Sequence, residues 1–505
     1  MLHRRSTNGV LDDDETLRQH GYKPELTRRM GAFGNFAISF SVICILAGGT
    51  TMYGFGLNAG GPAVIMGGWF GIGFMTLILA LCLAEVTSAY PTSGGLYYMA
   101  YRLGGERGQA WSWVTGWLNL LGLVGAICGI DYGCALVVGA FANLQWGLVP
   151  TPETTMLIFV GILLLHGTLN SFKISLVNVL NSISVWWQLF GVAGIVGLLF
   201  FAPGERQNAD FVFTHFNNGT GFDSLVYVVA LGCLPAMYTF CGYDASSHLS
   251  EETKQAQIAA PLGMVRAVAW SLVAGAVLLA GLSSGIVDYA GTLATSTGFP
   301  PAQIFIDVLG TGVAKVLLLV IIVAQVLCGN AETAAASRMA YAFSRDGALP
   351  FSATWRRVSS RNTPVPAVWL CVGIALVLAL PSLYSPTAYA AVTAINVVGI
   401  TPAYVIPVYL RRRHSDRFVP GPWSLGRWSK PLGWISVGYV CVLTVVVCLP
   451  QASPVTVVTF NYALITLAAV LLLAWLMWIT KGRRSYKIPT LGTEAETIAM
   501  SEGVV

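Results

Sequence analysis

Apolar runs of roughly twenty residues follow one another along most of this chain, and the charged residues gather in the short stretches between them. About 20 consecutive apolar residues carry an α-helix across the hydrocarbon core of a bilayer. Twelve segments fit that reading: 33–57, 62–90, 114–141, 154–171, 176–201, 225–247, 264–287, 314–343, 365–380, 388–410, 431–449 and 454–479. The first two are parted by a tight turn at Asn58-Ala59-Gly60-Gly61-Pro62, and the segment 365–380 is the shortest. Two further pieces, 94–102 and 301–309, read as interfacial. The fold class predicted is all-α and integral to a membrane, with twelve transmembrane helices.

Composition removes the soluble alternative. The 505 residues are 55% hydrophobic and 10% charged, with a mean hydropathy of +0.68, whereas soluble domains carry about 25% charged residues. The net charge of +5 raises the question of nucleic acid, and the placement of the charge answers it. Under the positive-inside rule, a twelve-span path with both termini cytoplasmic puts all but two of the 28 basic residues on inner segments. Arg206 falls in an outer loop and Lys315 at the outer end of the eighth span, while Arg4, Arg5, Lys173, Arg361 and Arg417 join the inner set. Adding or removing one span scrambles this sorting, so the bilayer accounts for the charge and nucleic acid is not needed.

The predicted plan follows from the spans. A cytoplasmic tail (1–32) precedes spans 1–5 (33–201), an extracellular loop (202–224) and spans 6–10 (225–410); a cytoplasmic loop (411–430), spans 11 and 12 (431–479) and a second cytoplasmic tail (480–505) complete it. Both tails are polar and expected to be mobile, and the outer loop holds the glycosylation sequon Asn218-Gly219-Thr220. Residues 1–30 lack the apolar stretch of a cleavable signal, so the first span is expected to direct its own insertion. The ten cysteines all fall in apolar segments, which points to buried thiols rather than to a secreted disulfide framework.

Two spans carry residues that lipid-facing helices avoid. Ala47-Gly48-Gly49-Thr50-Thr51 interrupts span 1, and Phe240-Cys241-Gly242-Tyr243-Asp244-Ala245-Ser246-Ser247 interrupts span 6. Glycines alone can serve close helix packing, which suits Gly71, Gly73, Gly122 and Gly125. Glycines joined by polar groups, in corresponding members of two halves, predict discontinuous helices around a site near the bilayer midplane. Acid is the second anomaly. Asp131 lies within span 3, Asp244 in the span 6 interruption and Glu332 near the middle of span 8, with no Lys or Arg at comparable depth. Each costs about 2.5–3.5 kcal/mol at the bilayer centre. They are protonated, hydrogen-bonded between helices, or balanced by an arriving ammonium group, H+ or Na+. Glu85, at the inner end of span 2, either reaches headgroups or serves an inner gate, and Glu251 and Glu252 read as gate or loop ion pairs. The phosphate-binding Gly-x-x-x-x-Gly-Lys-Ser/Thr loop and metal-binding Cys/His spacings are absent from the sequence, so neither a nucleotide nor another cofactor is expected, nor an enzyme. His166 stands alone in span 4 and reads as a packing residue.

Four stretches go further. They are Gly21-Tyr22-Lys23-Pro24-Glu25-Leu26; Ala84-Glu85 with Tyr90-Pro91-Thr92-Ser93-Gly94-Gly95-Leu96-Tyr97-Tyr98; residues 242–253, which read GYDASSHLSEET; and residues 337–350, which read SRMAYAFSRDGALP. Through them the chain resembles the amino acid–polyamine–organocation superfamily, and within it the amino-acid/choline branch that includes γ-aminobutyrate permeases and bidirectional amino acid transporters. The resemblance implies a LeuT-type fold of two inverted five-helix repeats plus two C-terminal helices, and alternating access without nucleotide. It implies that a substrate carboxylate meets Ala47, Gly48, Gly49, Thr50 and Thr51, where the amides of a half-helix N-terminus favour an anion. The ammonium would meet carbonyls near Tyr238, Thr239, Phe240, Cys241 and Gly242, with Tyr238 as an aromatic lid and Asp244 at a gating or proton-sensing position. Asp131 and Glu332 complete the expected binding set, and Glu85, Asp244, Thr333 and Ser337 the gating and coupling set. Relatives that couple to protons through a lysine in helix 5 are not matched, since this stretch reads Ser184-Val185-Trp186-Trp187-Gln188; coupling to H+ or to Na+ through Thr333 and Ser337 stays open.

The expectation is a secondary transporter for a small amino acid such as γ-aminobutyrate or an α-amino acid, monomeric or homodimeric, in the plasma membrane. The rivals are an organocation carrier for choline, ethanolamine or a polyamine, leaning on Asp131, Asp244 or Glu332, and a nontransporting nutrient sensor on the same scaffold.

Overall fold

The computed structural model describes residues 13–488 except 173, 203–205, 361, 386 and 416–417. Arg4, Arg5, Lys173, Arg361, Arg417 and the outer parts of both predicted tails lie outside the described residues. In chain order the helices are α1 (Asp13–Gln19), α2 (Ala32–Ile43), α3 (Ile45–Thr51), α4 (Tyr53–Asn58), α5 (Gly61–Ala89), α6 (Leu96–Leu103), α7 (Gly108–Trp146), α8 (Pro152–Asn170), α9 (Ile174–Phe201), α10 (Ala209–Thr214) and α11 (Leu225–Gly232). There follow α12 (Leu234–Thr239), α13 (Ala245–His248), α14 (Ala256–Ser284), α15 (Tyr289–Leu293), α16 (Pro300–Arg345), α17 (Ser352–Trp355), α18 (Val365–Ala379), α19 (Ala388–Arg413), α20 (Ser429–Cys448) and α21 (Ala463–Met477). Among the described residues eleven helical stretches are long and apolar enough to cross a membrane, with α2 and α3 counted as one, and α11 and α12 form a shorter apolar stretch beside them.

Local chemistry explains where the helices start and stop. The turn predicted at 58–62 puts Gly60 at φ 112, a conformation glycine adopts without strain, and Pro62 then sits in the first turn of α5, where it removes no helical bond. Thr151 caps α8 by accepting from the Thr154 amide, and Thr154 returns the bond in a capping box. The predicted piece 301–309 and span 314–343 are the two helical parts of α16, parted at Gly310, whose φ of 77 and ψ of 162 are not helical. The predicted interfacial piece 94–102 is α6.

Burial sorts the helices into an interior and a rim. In α7 and α19 the most apolar window is 89% buried, against 11% in α21, so the first two form the centre and the last lies at the edge. The α7–α19 pair packs against α16 and α18, while α14 joins α2, α5 and α9. Phe74, Leu157, Phe190 and Phe201 point outward, as they would toward lipid. Two expectations need correction here. Cys441 is exposed and Cys233 and Cys448 are half-buried, because α20 and the start of α12 turn one face to the rim. Residues 13–30 are also no loose tail. Tyr22, Leu26 and Met30 are buried, Met30 pairs with Thr253 in a parallel bridge, and the Asp13 carboxylate accepts from the amides of Gln255 and Ala256 at the start of α14.

Candidate functional site

The first helix does break, but earlier than its sequence suggests. Cys44, at φ 29 and ψ 82, separates α2 from α3, whereas 47–51 is helical. Sequence marked those residues as poor helix formers, yet the helix satisfies them: the Thr50 and Thr51 hydroxyls donate to the carbonyls of Leu46 (2.6 Å) and Ala47 (2.9 Å) one turn back. Gly48 is needed for contact instead, since a Cβ there would lie 2.9 Å from Thr239 Cβ. The amides of Ala47 and Gly48 bond back to the Cys44 carbonyl, so α3 begins at the break.

The interruption predicted at 240–247 is present but shorter, covering 240–244. Helix α12 ends at Thr239 and α13 resumes at Ala245. Gly242, at φ 83, lets the chain turn between them, and a Cβ there would overlap Val42 of α2. Its amide donates to the Tyr404 hydroxyl at 2.9 Å. The two breaks therefore touch each other, and between them lies a cavity of about 20 Å³ bounded by Val42, Ile43, Ala47 and Gly48 on one side and by Tyr238, Thr239, Cys241 and Gly242 on the other. Ala126 and Ile130 of α7, Cys328 of α16 and Asn396 of α19 close it. The volume suits a single water and falls far below the roughly 300–1,000 Å³ of small-molecule sites. The centre is thus contracted. A larger recess of about 760 Å³ opens beside it, walled by Thr51, Phe55, Tyr132, Tyr384 and Tyr389 among others, and none of its wall residues is acidic or basic.

The structure brings together only part of the predicted binding set. Ala47, Gly48, Tyr238, Thr239, Cys241 and Gly242 line the central cavity; Thr51 faces the larger recess. Gly49 is aimed at Leu278 and Leu279 of α14, Thr50 is turned into its own helix, and Phe240 packs on Trp69 with ring centroids 4.5 Å apart. Asn396 was not anticipated, although a lone amide in the apolar run 388–410 is the signal that could have found it; its Oδ1 has no partner among the described residues.

None of the three membrane acids expected in the binding set borders the central cavity. Asp131 Oδ2 meets His166 Nδ1 at 3.0 Å, both side chains fully buried. His166 is therefore not alone, and Asp131 is a bridge between α7 and α8 rather than a cavity residue. Asp244 accepts from Tyr404 Oη at 2.6 Å and meets His248 Nε2 at 3.0 Å. His248 Nδ1 in turn lies 3.2 Å from the Ser93 carbonyl. Asp244 so fastens the break to α19 and to the segment before α6. Glu332 is fully buried with no partner at either oxygen among the described residues. Thr333 Oγ1 likewise lacks one, whereas Ser337 Oγ donates to the Ala334 carbonyl and receives Arg338.

A polar seal covers the face where most basic residues gather. Arg338 Nε meets Glu252 Oε1 at 3.0 Å, with both side chains 2% exposed or less. Arg345 meets Glu251 at 3.3 Å, and the Ser93 amide donates to the same carboxylate. Glu85 takes Ser429 Oγ and the Leu425 amide, with Arg412 at 3.7 Å, tying α5 to the loop before α20. Asp346, just past α16, gathers the most remote parts of the chain: the hydroxyls of Tyr22 (3.0 Å) and Tyr97 (2.8 Å) donate to its carboxylate, and the Lys487 amide to its carbonyl. Burial pushes the Asp346 carboxyl up to about 6, against the opposing pull of Arg345, Tyr97 and Tyr22. The folded protein then holds a proton that the unfolded chain, titrating near 3.8, releases. Folded stability is consequently greatest below the lower value and declines as pH rises through about 6. The thermal midpoint in detergent should fall from about pH 5 to 7, and Asp346→Asn should lack that component; parallel curves for the two proteins would refute it.

Two discontinuous helices meeting around a buried cavity, with a neutral recess on one side and a charged seal on the other, define a membrane permease. The chain belongs to the amino acid permease family, whose profile matches residues 31–471, within the amino acid–polyamine–organocation superfamily, and is an amino acid transporter. It is 38% identical to the amino-acid permease BAT1 of Arabidopsis thaliana over 95% of this chain and 97% of that one. It is 31% identical to the GABA-specific permease of Saccharomyces cerevisiae, over 95% and 86%, and 29% identical to amino-acid permease 2 of Neurospora crassa, over 96% and 90%.

Proposed function

We propose that this permease carries a zwitterionic amino acid by alternating access, through a site formed where the α2–α3 and α12–α13 breaks meet. The observation that carries the reading is the cavity between those breaks. The N-terminal end of α3 faces it and suits a carboxylate, while the carbonyl ends of α2 and α12 suit an ammonium. In this reading α11 to α13 form a twelfth span, 33–201 and 225–410 are two inverted repeats of a LeuT-type fold, and the basic face with both chain ends is cytoplasmic. The plasma membrane and coupling to an ion complete the proposal. The ion pairs at Glu251 and Glu252 close the cytoplasmic side, and the recess is the outer vestibule.

The organocation alternative loses support. Asp131 and Asp244 each already hold a histidine, and none of the three acids lies on the cavity wall. In proteoliposomes, uptake of labelled amino acids, γ-aminobutyrate included, should be blocked by excess unlabelled amino acid and left intact by choline. Choline inhibition with no amino acid uptake would overturn the assignment. The GABA-specific yeast relative makes γ-aminobutyrate a natural member of the panel.

A further inference from the structure

The membrane core buries three carboxylates, and two of them are matched. Asp131 has His166 and Asp244 has His248, each at 3.0 Å; each histidine stabilises its acid as hydrogen-bond donor or as cation. Glu332 has neither donor nor counter-charge among the described residues. It does not touch the cavity, but it stands directly behind the cavity wall: a Cβ built on Gly242 would lie 3.6 Å from Glu332 Oε2, and Gly242 itself lines the cavity. Asp244 and Asp131 both lie within electrostatic reach of it, so negative charge at Glu332 is the uncompensated charge of the three.

We propose that Glu332 is the proton-binding site of transport, loading from the vestibule side together with the amino acid and unloading toward the basic face. This deepens the permease reading and rests on it. The surroundings choose the proton over the other visitors. Cys328 on the same helix, Cys241 at the break and Cys371 on α18 are the other ionisable groups that feel its charge beyond the two acids. Hard cations ask for a shell of oxygen ligands; of the two hydroxyls expected to serve sodium, Ser337 Oγ is taken by the Ala334 carbonyl and Arg338, and Thr333 Oγ1 is the one without a partner among the described residues. The substrate's ammonium is separated from Glu332 by the Gly242 backbone. A proton needs neither a shell nor direct contact. Arg338, the nearest base further along α16, is already held by Glu252.

The step balances simply. A hydronium ion from the vestibule gives its proton to a Glu332 oxygen, forming one O–H bond and a neutral acid and leaving water. On the return that bond breaks and the proton leaves by the Asp244–His248 pair, whose far nitrogen lies 3.2 Å from the Ser93 carbonyl at the basic face. The acid reverts to carboxylate and no other group changes its charge over the cycle.

The test uses the full chain in liposomes and an equimolar mixture of labelled protein amino acids with γ-aminobutyrate. Counterflow, the exchange of labelled for unlabelled amino acid, reads transport without coupling; accumulation under an inward proton gradient at constant sodium reads coupling. Glu332→Gln should lose gradient-driven accumulation out of proportion to any loss of counterflow, and Glu332→Asp should recover part of that accumulation. Wild-type influx should also carry protons, read by a pH dye trapped inside. Accumulation by Glu332→Gln at the wild-type level, wild-type influx without proton entry, or accumulation that follows a sodium gradient instead would each overturn the proposal. If Glu332→Gln fails to fold, the dye and sodium measurements on wild type still decide. Absence of counterflow in wild type would strike the permease reading itself, not this residue alone.

Discussion

Replacing Arg338 with methionine is expected to destabilise the closed form by about 3–5 kcal/mol, the range for removing one partner of a buried ion pair. Arg338 and Glu252 are both within the protein, 3.0 Å apart, and the guanidinium also donates to Ser337 Oγ. Burial already pushes the Glu252 carboxyl upward, with Arg338 as the opposing influence. Without the guanidinium only the burial penalty is left, and the carboxyl either takes up a proton or drags its segment toward water. That segment is tied to the start of the described chain: the Glu252 carbonyl accepts the amides of Arg29 and Met30, and the Met30 carbonyl accepts the Lys254 amide. The melting temperature should therefore drop. In parallel, a polar maleimide applied from the basic face should reach Cys241 and Cys328, which line the central cavity. Changing both partners to methionine should restore most of the stability, because a well-packed apolar pair replaces a buried ion pair at little cost. If the single variant melts like wild type and its thiols stay protected, the pair is not the seal.

The other large effect is expected at Gly242. Its φ of 83 costs an L-residue about 1–2 kcal/mol. The added methyl group would overlap Val42, and overpacking of this kind costs about 1–3 kcal/mol more. Together these amount to roughly one and a half to three and a half orders of magnitude in any equilibrium that requires the two breaks to meet, at about 1.4 kcal/mol per tenfold. Gly242→Ala should abolish counterflow while leaving folded protein in detergent. Adding Val42→Ala removes the overlap but not the backbone strain, so transport should return only in part. Full activity in Gly242→Ala would mean that the contact between breaks is not used in transport.

Much of this architecture was legible because a bilayer imposes two simple rules: apolar runs of spanning length, and basic residues on one side. These placed every long helix. The 225–247 run was read as a span, and its apolar helix covers only Leu225–Thr239, shorter than the eleven candidate spans. The position of the first break was not legible. Gly48, Gly49, Thr50 and Thr51 look alike in a sequence whether they unwind a helix or let it pack closely, and hydroxyls that bond one turn back resolve the ambiguity only in three dimensions. Cys44, where the chain does break, carries no signal at all. The acids were found by residue type, yet their partners were not. His166 is 35 positions from Asp131, and Tyr404 is 160 from Asp244, distances at which spacing says nothing. His248 was the missed opportunity, being four residues beyond Asp244 and one helical turn away. The docking of residues 13–30 was hidden because that segment is polar on average, and only Leu17, Tyr22, Leu26 and Met30 of it are apolar anchors.

The cluster at Asp346 has a topological consequence. Tyr22 from the beginning of the described chain and Lys487 from its end bond to the same residue, while Tyr486 is buried against Ser112 and Gln109. Connected in this way, the polypeptide behaves as a ring closed without a covalent bond, with Asp346 as the clasp. The two ends of the described chain are then not free margins: a cut, a fusion or a truncation made inside residue 13 or residue 488 opens the ring, on the face that holds the Glu251 and Glu252 ion pairs.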